Sequence, residues 1–259
     1  GNGSAKTISG VGFQPDLLWA KCRSNSYSHI LTDAVRGITK QLKSEGNAAE
    51  LTNAQGVTAF NADGYVLGTQ DDFANNGNTF VGWGWKAGTT SGIVQGGASI
   101  TPSAYSFNQT SGFSIIKYQG TGSNATVPHG LNAVPKMIII KCLSLASKSW
   151  QVGHESIGWQ NGIYLNLTDA NGSDSGAFNS TNPTSSLFSL GTSSFVNTSS
   201  ADYVAYCFSE IPGYSKFNRY DGNGSTNGSF IYTGFKPAFV MVKKSSATNN
   251  WVMTDNKRN

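Results

Sequence analysis

Three segments of this chain read alike at matched positions, and that recurrence restricts its folding more than any other feature. Each opens on proline, continues as an unbroken apolar run and closes on lysine: Pro15–Lys21 (PDLLWAK), Pro135–Lys141 (PKMIIIK) and Pro237–Lys243 (PAFVMVK). Consecutive apolar positions, without alternation, predict a strand buried on both faces. Proline is tolerated at the start of such a strand, where no ladder donor is required. The closing lysines Lys21, Lys141 and Lys243 are expected where each strand meets water. A short polar loop follows each run, then a second matched segment: His29–Asp33 (HILTD), Trp150–His154 (WQVGH) and Trp251–Asp255 (WVMTD). Strand, short loop and strand predict three hairpins.

The repeat extends beyond the hairpins. A glycine motif precedes each: Gly1–Ser4 (GNGS), Tyr118–Ser123 (YQGTGS) and Tyr220–Ser225 (YDGNGS). We read it as a turn, because glycine accepts the positive φ that other residues resist. Later in the unit, Phe80–Lys86 (FVGWGWK) matches Tyr203–Ser209 (YVAYCFS). There Val81, Trp83 and Trp85 correspond to Val204, Tyr206 and Phe208, alternating with Gly82 and Gly84 or Ala205 and Cys207. A strand with that alternation has one large aromatic face and one very small face, over which another layer can approach closely. Core packing is the expected role of the aromatic face, in preference to a sugar platform. Finally, Gly112–Tyr118 (GFSIIKY) resembles Gly213–Tyr220 (GYSKFNRY).

These matches divide the chain. Residues 1–88 form a first unit lacking its opening strand, 89–111 a linker or extra strand, 112–211 a complete central unit, and 212–259 the front half of a third. Several short strands per unit, spaced by turn residues, predict an all-β fold of tandem β-sandwich units of about 100 residues, jelly-roll or lectin-like. Incomplete units leave sheet edges open to pairing. Two completions are open: the tail half-unit completes another unit, within or between chains, or the chain belongs to a longer array. The segment Asn47–Leu51 (NAAEL) is the best helical candidate and amounts to a turn or two.

Composition excludes several function classes. Only 12% of the 259 residues are charged, and the net charge of +4 comes from scattered Lys and Arg. No basic stripe is present to neutralise phosphates, so no nucleic-acid partner is expected. No apolar run is long enough for a membrane helix, and no signal peptide is evident. The first residue is Gly, which we read as processing or as part of a longer product. The three cysteines, Cys22, Cys142 and Cys207, suit strand positions and do not make a disulfide framework.

Catalytic chemistry is sparse. His29, His129 and His154 lack metal-ligand spacing, and no nucleophile elbow, phosphate loop or zinc motif occurs, so no catalytic residue, metal or cofactor is expected. Asp33 with Arg36, and Asp255 with Arg258, read as structural ion pairs; the middle copy has His154 and Ile157 there instead. Glycoside hydrolysis needs two carboxylates. The adjacent Asp71 and Asp72 in TQDDFANNGN more simply mark a solvated loop. This loop and Asp169–Gly176 offer oxygen atoms, but neither has the spacing of a helical calcium loop.

The combined strings GFQPDLLWAKCRS, HILTDAVRG, FNADGYVLG, FVGWGWKAG, GFSIIKYQGTG and HGLNAVPKMIIIK resemble a repeat family of predicted tail-fibre and other virion proteins of marine bacteriophages, including cyanophages. The resemblance covers nearly the whole chain. It implies a non-enzymatic structural protein exposed on the virion, with other copies of itself, other virion proteins or a host surface glycan as partners. Binding residues are expected on a loop held by a rigid scaffold, with Asp71, Asp72, Asn75 and Asn76 as the candidates. The alternatives are a capsid decoration or fibre protein without receptor binding, and a tail-associated polysaccharide-degrading enzyme.

Overall fold

The computed structural model describes residues 1–258, and short strands dominate it. The first stretch supplies β1 (Lys6–Ser9), β2 (Leu17–Cys22), β3 (His29–Asp33), β4 (Lys40–Lys43), β5 (Leu51–Thr52), β6 (Val57–Asn61), β7 (Gly64–Leu67), a one-turn helix α1 (Asp71–Ala74) and β8 (Phe80–Trp85). The middle supplies β9 (Ala104–Asn108), β10 (Phe113–Gln119), β11 (Ala125–Pro128), β12 (Pro135–Cys142), β13 (Gln151–His154), β14 (Asn161–Tyr164), β15 (Gly172–Ser173), the short α2 (Ser175–Phe178), β16 (Leu187–Leu190) and β17 (Asp202–Ser209). The last stretch supplies β18 (Phe239–Lys243) and β19 (Trp251–Asp255). The chain is all-β, as expected.

The strands form sheets of order β5-β4-β3-β2-β8, β15-β14-β13-β12-β17-β10-β9, β1-β7-β6, β11-β16 and β18-β19. The three predicted hairpins form, and they share one register. Leu17 faces Asp33 and Trp19 faces Leu31; Met137 faces His154 and Ile139 faces Val152; Phe239 faces Asp255 and Met241 faces Met253. The later aromatic strands repeat the relation. Trp85 and Trp83 stand opposite Leu17 and Trp19, and Phe208 and Tyr206 opposite Met137 and Ile139.

Register decides which side chains share a face, because alternate residues point the same way. One face of all three hairpins looks into a central core. Leu17, Trp19, Leu31 and Trp83 meet Ile139, Trp150, Val152, Val204 and Tyr206 there, with Phe239, Met241, Trp251 and Met253 packed against them. The opposite faces build two outer cores. Leu18, Ala20 and Ile30 pack with Val57 and Leu67 of the β1-β7-β6 sheet. Ile138 and Ile140 pack with Val127, Phe188 and Leu190 of the β11-β16 sheet. The aromatic faces of β8 and β17 therefore serve packing, and their small faces serve close approach. A Cβ added to Gly82 would come within 2.6 Å of the Tyr65 hydroxyl on β7.

The repeated glycine turn has a specific task. Gly3, Gly122 and Gly224 all hold positive φ, at 75°, 75° and 66°. The Gly3 N–H donates to the Ala74 carbonyl at 2.7 Å, and the Gly122 N–H donates to the Asn197 carbonyl at 2.9 Å. In both cases the turn is fastened to the segment that leads into the aromatic strand.

Several expectations need correction. Lys141 does not reach water: it is 0% exposed, its Nζ donates to the Cys142 carbonyl, and burial pushes its pKa down to about 8. The reason is that β12 pairs with β17 as far as Cys142, so this lysine lies inside the ladder. Lys21 and Lys243 are half-buried, their ammonium groups held by the Tyr27 and Thr168 carbonyls. The third apolar run is not buried on both faces. Val240 and Val252 are 40% and 53% exposed, because among the described residues no sheet overlies the outer face of β18-β19. Gly213–Tyr220 forms no strand, and Asn47–Leu51 forms no helix, with Leu51 entering β5. Within residues 89–111, β9 forms an extra edge strand beside β10. The tail hairpin stands as its own two-stranded sheet among the described residues and packs against the central core.

The matched positions Ile138 and Val240 separate these environments. Ile138→Ala is expected to cost about 2–5 kcal/mol through a cavity in a closed core. Val240→Ala is expected to stay within about 0.5 kcal/mol, as at an exposed site. Urea unfolding of both variants checks this; equal losses would contradict the assigned faces.

Candidate functional site

The segment singled out from sequence is not an open loop. Asp71–Ala74 form helix α1, with Phe73 and Ala74 buried beneath it. The Asp72 carboxylate accepts from the Ser28 N–H at 3.2 Å and from Gln70 Nε2 at 2.7 Å, and Gln70 also pairs with Gln41. Asp71 accepts from Asn75 Nδ2 at 3.2 Å, Asn75 accepts from Asn78 Nδ2 at 2.6 Å, and Asn78 accepts from the Ser24 hydroxyl at 3.0 Å. Asp72 and Asn75 thus brace the turn. Asp71 and Asn76 are its exposed members. The four residues do come together, on one turn that the Gly3 motif also touches. Among the described residues, no three His, Cys, Asp or Glu side chains gather where they could hold a metal ion.

The Asp–Arg pairs form seams between parts of the chain. Asp33 Oδ1 accepts from the Val35 and Arg36 N–H groups at 3.0 and 2.8 Å. Its Oδ2 accepts from Arg36 Nε at 2.5 Å and from the Tyr206 hydroxyl at 2.7 Å. Arg36 also donates to Glu50 and to the Leu31 carbonyl, both at 3.0 Å. Burial works against the Arg36 charge, but Asp33, Tyr206 and Glu50 outweigh it and raise its pKa. Burial drives the Tyr206 phenol well above its usual range. Asp255 repeats the arrangement. It accepts from the Lys257 and Arg258 N–H groups, from Arg258 Nε at 2.6 Å and from Trp83 Nε1 at 3.1 Å. Arg258 also lies 5.0 Å from the Trp83 ring centroid, a cation–π contact. Burial pushes the Asp255 carboxyl up, yet its hydrogen bonds hold it below the usual range. In the middle copy His154 keeps only the turn contact, its Nδ1 accepting from the Ser156 N–H at 3.1 Å.

Trp83 and Tyr206, chosen from sequence as repeat positions, therefore meet Asp–Arg pairs from distant stretches of the chain. Nothing local in the sequence announces this. The partners lie far apart along the chain, and the one signal is that both kinds of position recur. Two open clefts also escape a reading by sequence. One of about 390 Å³ is bordered by Asp16, Val35, Thr90, Ser103, Tyr105 and Ser106. Burial raises the Asp16 pKa, while its carboxylate holds the Ala87 N–H at 2.8 Å. The other, also about 390 Å³, is bordered by Trp19, His29, Glu45, Asn166, Asn250 and Trp251, drawn from three separate stretches of the chain.

His129 is fixed in the interior. Its Nδ1 accepts from the Leu131 N–H and its Nε2 faces the Thr184 carbonyl, both at 3.2 Å, which selects the neutral ring protonated at Nε2. Burial lowers its pKa to about 4, despite the carbonyl. The unfolded chain therefore binds a proton near pH 6.5 that the folded chain refuses until about pH 4. Stability is full above pH 6.5 and falls as pH drops through that window, by on the order of 3 kcal/mol from this residue. Burial also lowers the His29 and His154 pKa values, with the same sign. His129→Gln should flatten, without abolishing, the loss between pH 6.5 and 4. Chemical denaturation across that range checks this; an unchanged slope would contradict it.

Comparison with curated proteins and with solved structures returns no match. A family model, described as Domain of unknown function (DUF7483), matches residues 1–259. Since that match spans the whole chain, this protein belongs to the DUF7483 family.

Proposed function

We propose that the chain is a non-enzymatic structural component of a bacteriophage particle, working in a tail fibre or similar surface appendage and built of tandem β-sandwich units. The observation that carries this reading is the hairpin repeated in one register, with Asp33–Arg36 and Asp255–Arg258 each locked to an aromatic residue of another unit. Ionisable groups placed in such seams fix the units against one another, which suits a load-carrying or display role. The resemblance to marine phage fibre repeats supports the same assignment.

On such a body, adhesion belongs to the loops. The connections within the three hairpins differ in sequence, as RSNSYS, LSLASKS and KSSATNN, while the strands around them match. The turn bearing Asp71 and Asn76 offers an amide and a carboxylate at the surface, groups that hydrogen-bond sugar hydroxyls. A host surface glycan is the ligand this reading assigns. The partners are other copies of the chain or other virion proteins.

The test joins location to binding. Antibody labelling of intact particles is expected at the tail. The purified chain is expected to bind host surface polysaccharide without shortening it. Joint replacement Asp71→Ala with Asn76→Ala should weaken binding about tenfold, a change of about 1.4 kcal/mol. Label confined to the capsid would favour decoration instead, and shortened polymer would favour a degrading enzyme.

A further inference from the structure

The contacts between units recur as faithfully as the hairpins. Trp150 Nε1 donates to the Lys43 carbonyl at 3.0 Å, and Trp251 Nε1 donates to the Tyr164 carbonyl at 2.9 Å. The two tryptophans open matching strands, and Lys43 and Tyr164 stand opposite the matching residues Ile30 and Gln151. The backbone repeats the pattern. Lys148 N–H donates to the Asn47 carbonyl and Glu50 N–H to the Leu143 carbonyl; Asn249 N–H donates to the Thr168 carbonyl and Asn171 N–H to the Ser245 carbonyl. The second hairpin is thus seated on the first unit as the third is seated on the second.

A further contact turns this series into a ring. Tyr206 reaches from the second unit back to Asp33 of the first, and its counterpart Trp83 reaches from the first unit to Asp255 of the third. Trp83 and Trp85 also lie edge-on to Phe239, at 5.7 and 5.9 Å between centroids. Second to first, third to second and first to third are the steps of a cycle around the central core.

The third position of that ring is only half built. β8 and β17 pair with β2 and β12, but among the described residues no strand pairs in the same place with β18. β4 and β14 pair with β3 and β13, but among the described residues no strand pairs on the outer side of β19. Val240 is exposed where other sheets cover its counterparts Leu18 and Ile138, Val252 is exposed where Ile30 and Gln151 are buried, and Phe230 and Tyr232, ahead of the hairpin, are 89% and 75% exposed. His29 marks the same gap from the first unit. It occupies the position of Trp150 and Trp251, and its Nδ1 accepts from Trp19 Nε1 at 3.1 Å, which leaves Nε2–H to donate. The cleft beside it is bordered by Ser44 and Glu45 and by their counterparts Leu165 and Asn166; a third such pair is what the ring lacks.

We propose that this half-built position is an interaction surface for one kind of partner, the back half of a module of this same repeat. One strand of that segment, alternating small and aromatic residues, adds to β18. Another adds to β19, and the carbonyl at its end accepts from His29 Nε2. The two seams already present define the third by continuity. This inference stands apart from the adhesive role and holds whatever the loops bind.

The test supplies the segment. The chain is extended past Asn259 with a copy of residues 159–211, and amide exchange is followed at 239–243 and 251–255. Exchange there is expected to slow at least about tenfold relative to the 259-residue chain, as edges become paired. Val252→Asp, silent in the 259-residue chain, should abolish the slowing in the extended one. Unchanged exchange would overturn the proposal. So would concentration-dependent dimers of the 259-residue chain that already protect these strands, since a second copy would then be the occupant.

Discussion

A hairpin of fixed register is a device for sorting side chains, and here the same sorting happens three times. Leu17 with Trp19, Met137 with Ile139, and Phe239 with Met241 all turn toward one core. A slip of one residue in any hairpin would exchange its inner and outer faces and place the wrong side chains in the centre. In the second unit the slip would also bring Ile138 and Ile140 away from Phe188 and Leu190. The central core and the outer cores are therefore specified together by the pairing of two strands.

Polar seams complete what the core begins. A buried ion pair adds little stability when weighed against its desolvation, so the value of Asp33 and Arg36 lies in where they hold the chain. Arg36 and Asp33 are 1% and 0% exposed at their side chains, and the Tyr206 hydroxyl reaches them from a strand far along the sequence. The Asp255 pair is more open, with Arg258 at 25% exposure, and takes the Trp83 indole instead. The same motif thus accepts a phenol in a closed seam and an indole in a looser one. His154 is the exception that fits: it retains the turn contact in the unit whose seam lacks an aromatic strand from the third position.

The sequence displays its strands more openly than its contacts. The proline-led runs, the paired segments and the aromatic-small alternation each leave a periodic mark, and each becomes the predicted strand. Lys141 was unreadable because a lysine closing an apolar run looks the same whether its strand ends there or continues, and only pairing with β17 decides. Helix α1 was hidden because four residues carry no period, and Asp71–Asp72 reads as solvated polar chain until Phe73 is seen to be buried. The ring was hidden for a deeper reason. Several of its hydrogen bonds end on backbone carbonyls, as Trp251 to Tyr164, and a carbonyl has no identity in a sequence; the others join side chains far apart along the chain, as Tyr206 to Asp33. The exposed Val240 carries the same apolar code as its buried counterparts Leu18 and Ile138, since what differs is the sheet above it.

Everything rests on the seating of the third hairpin in the shared core by Trp83 and Trp85. Nuclear Overhauser contacts between the Trp83 indole and the Phe239 ring, whose centroids lie 5.7 Å apart, test it most directly. The account predicts strong cross-peaks between these rings, together with ring-current shifts at Phe239. Their absence, with Phe239 at the shifts of an unstructured chain, would contradict it.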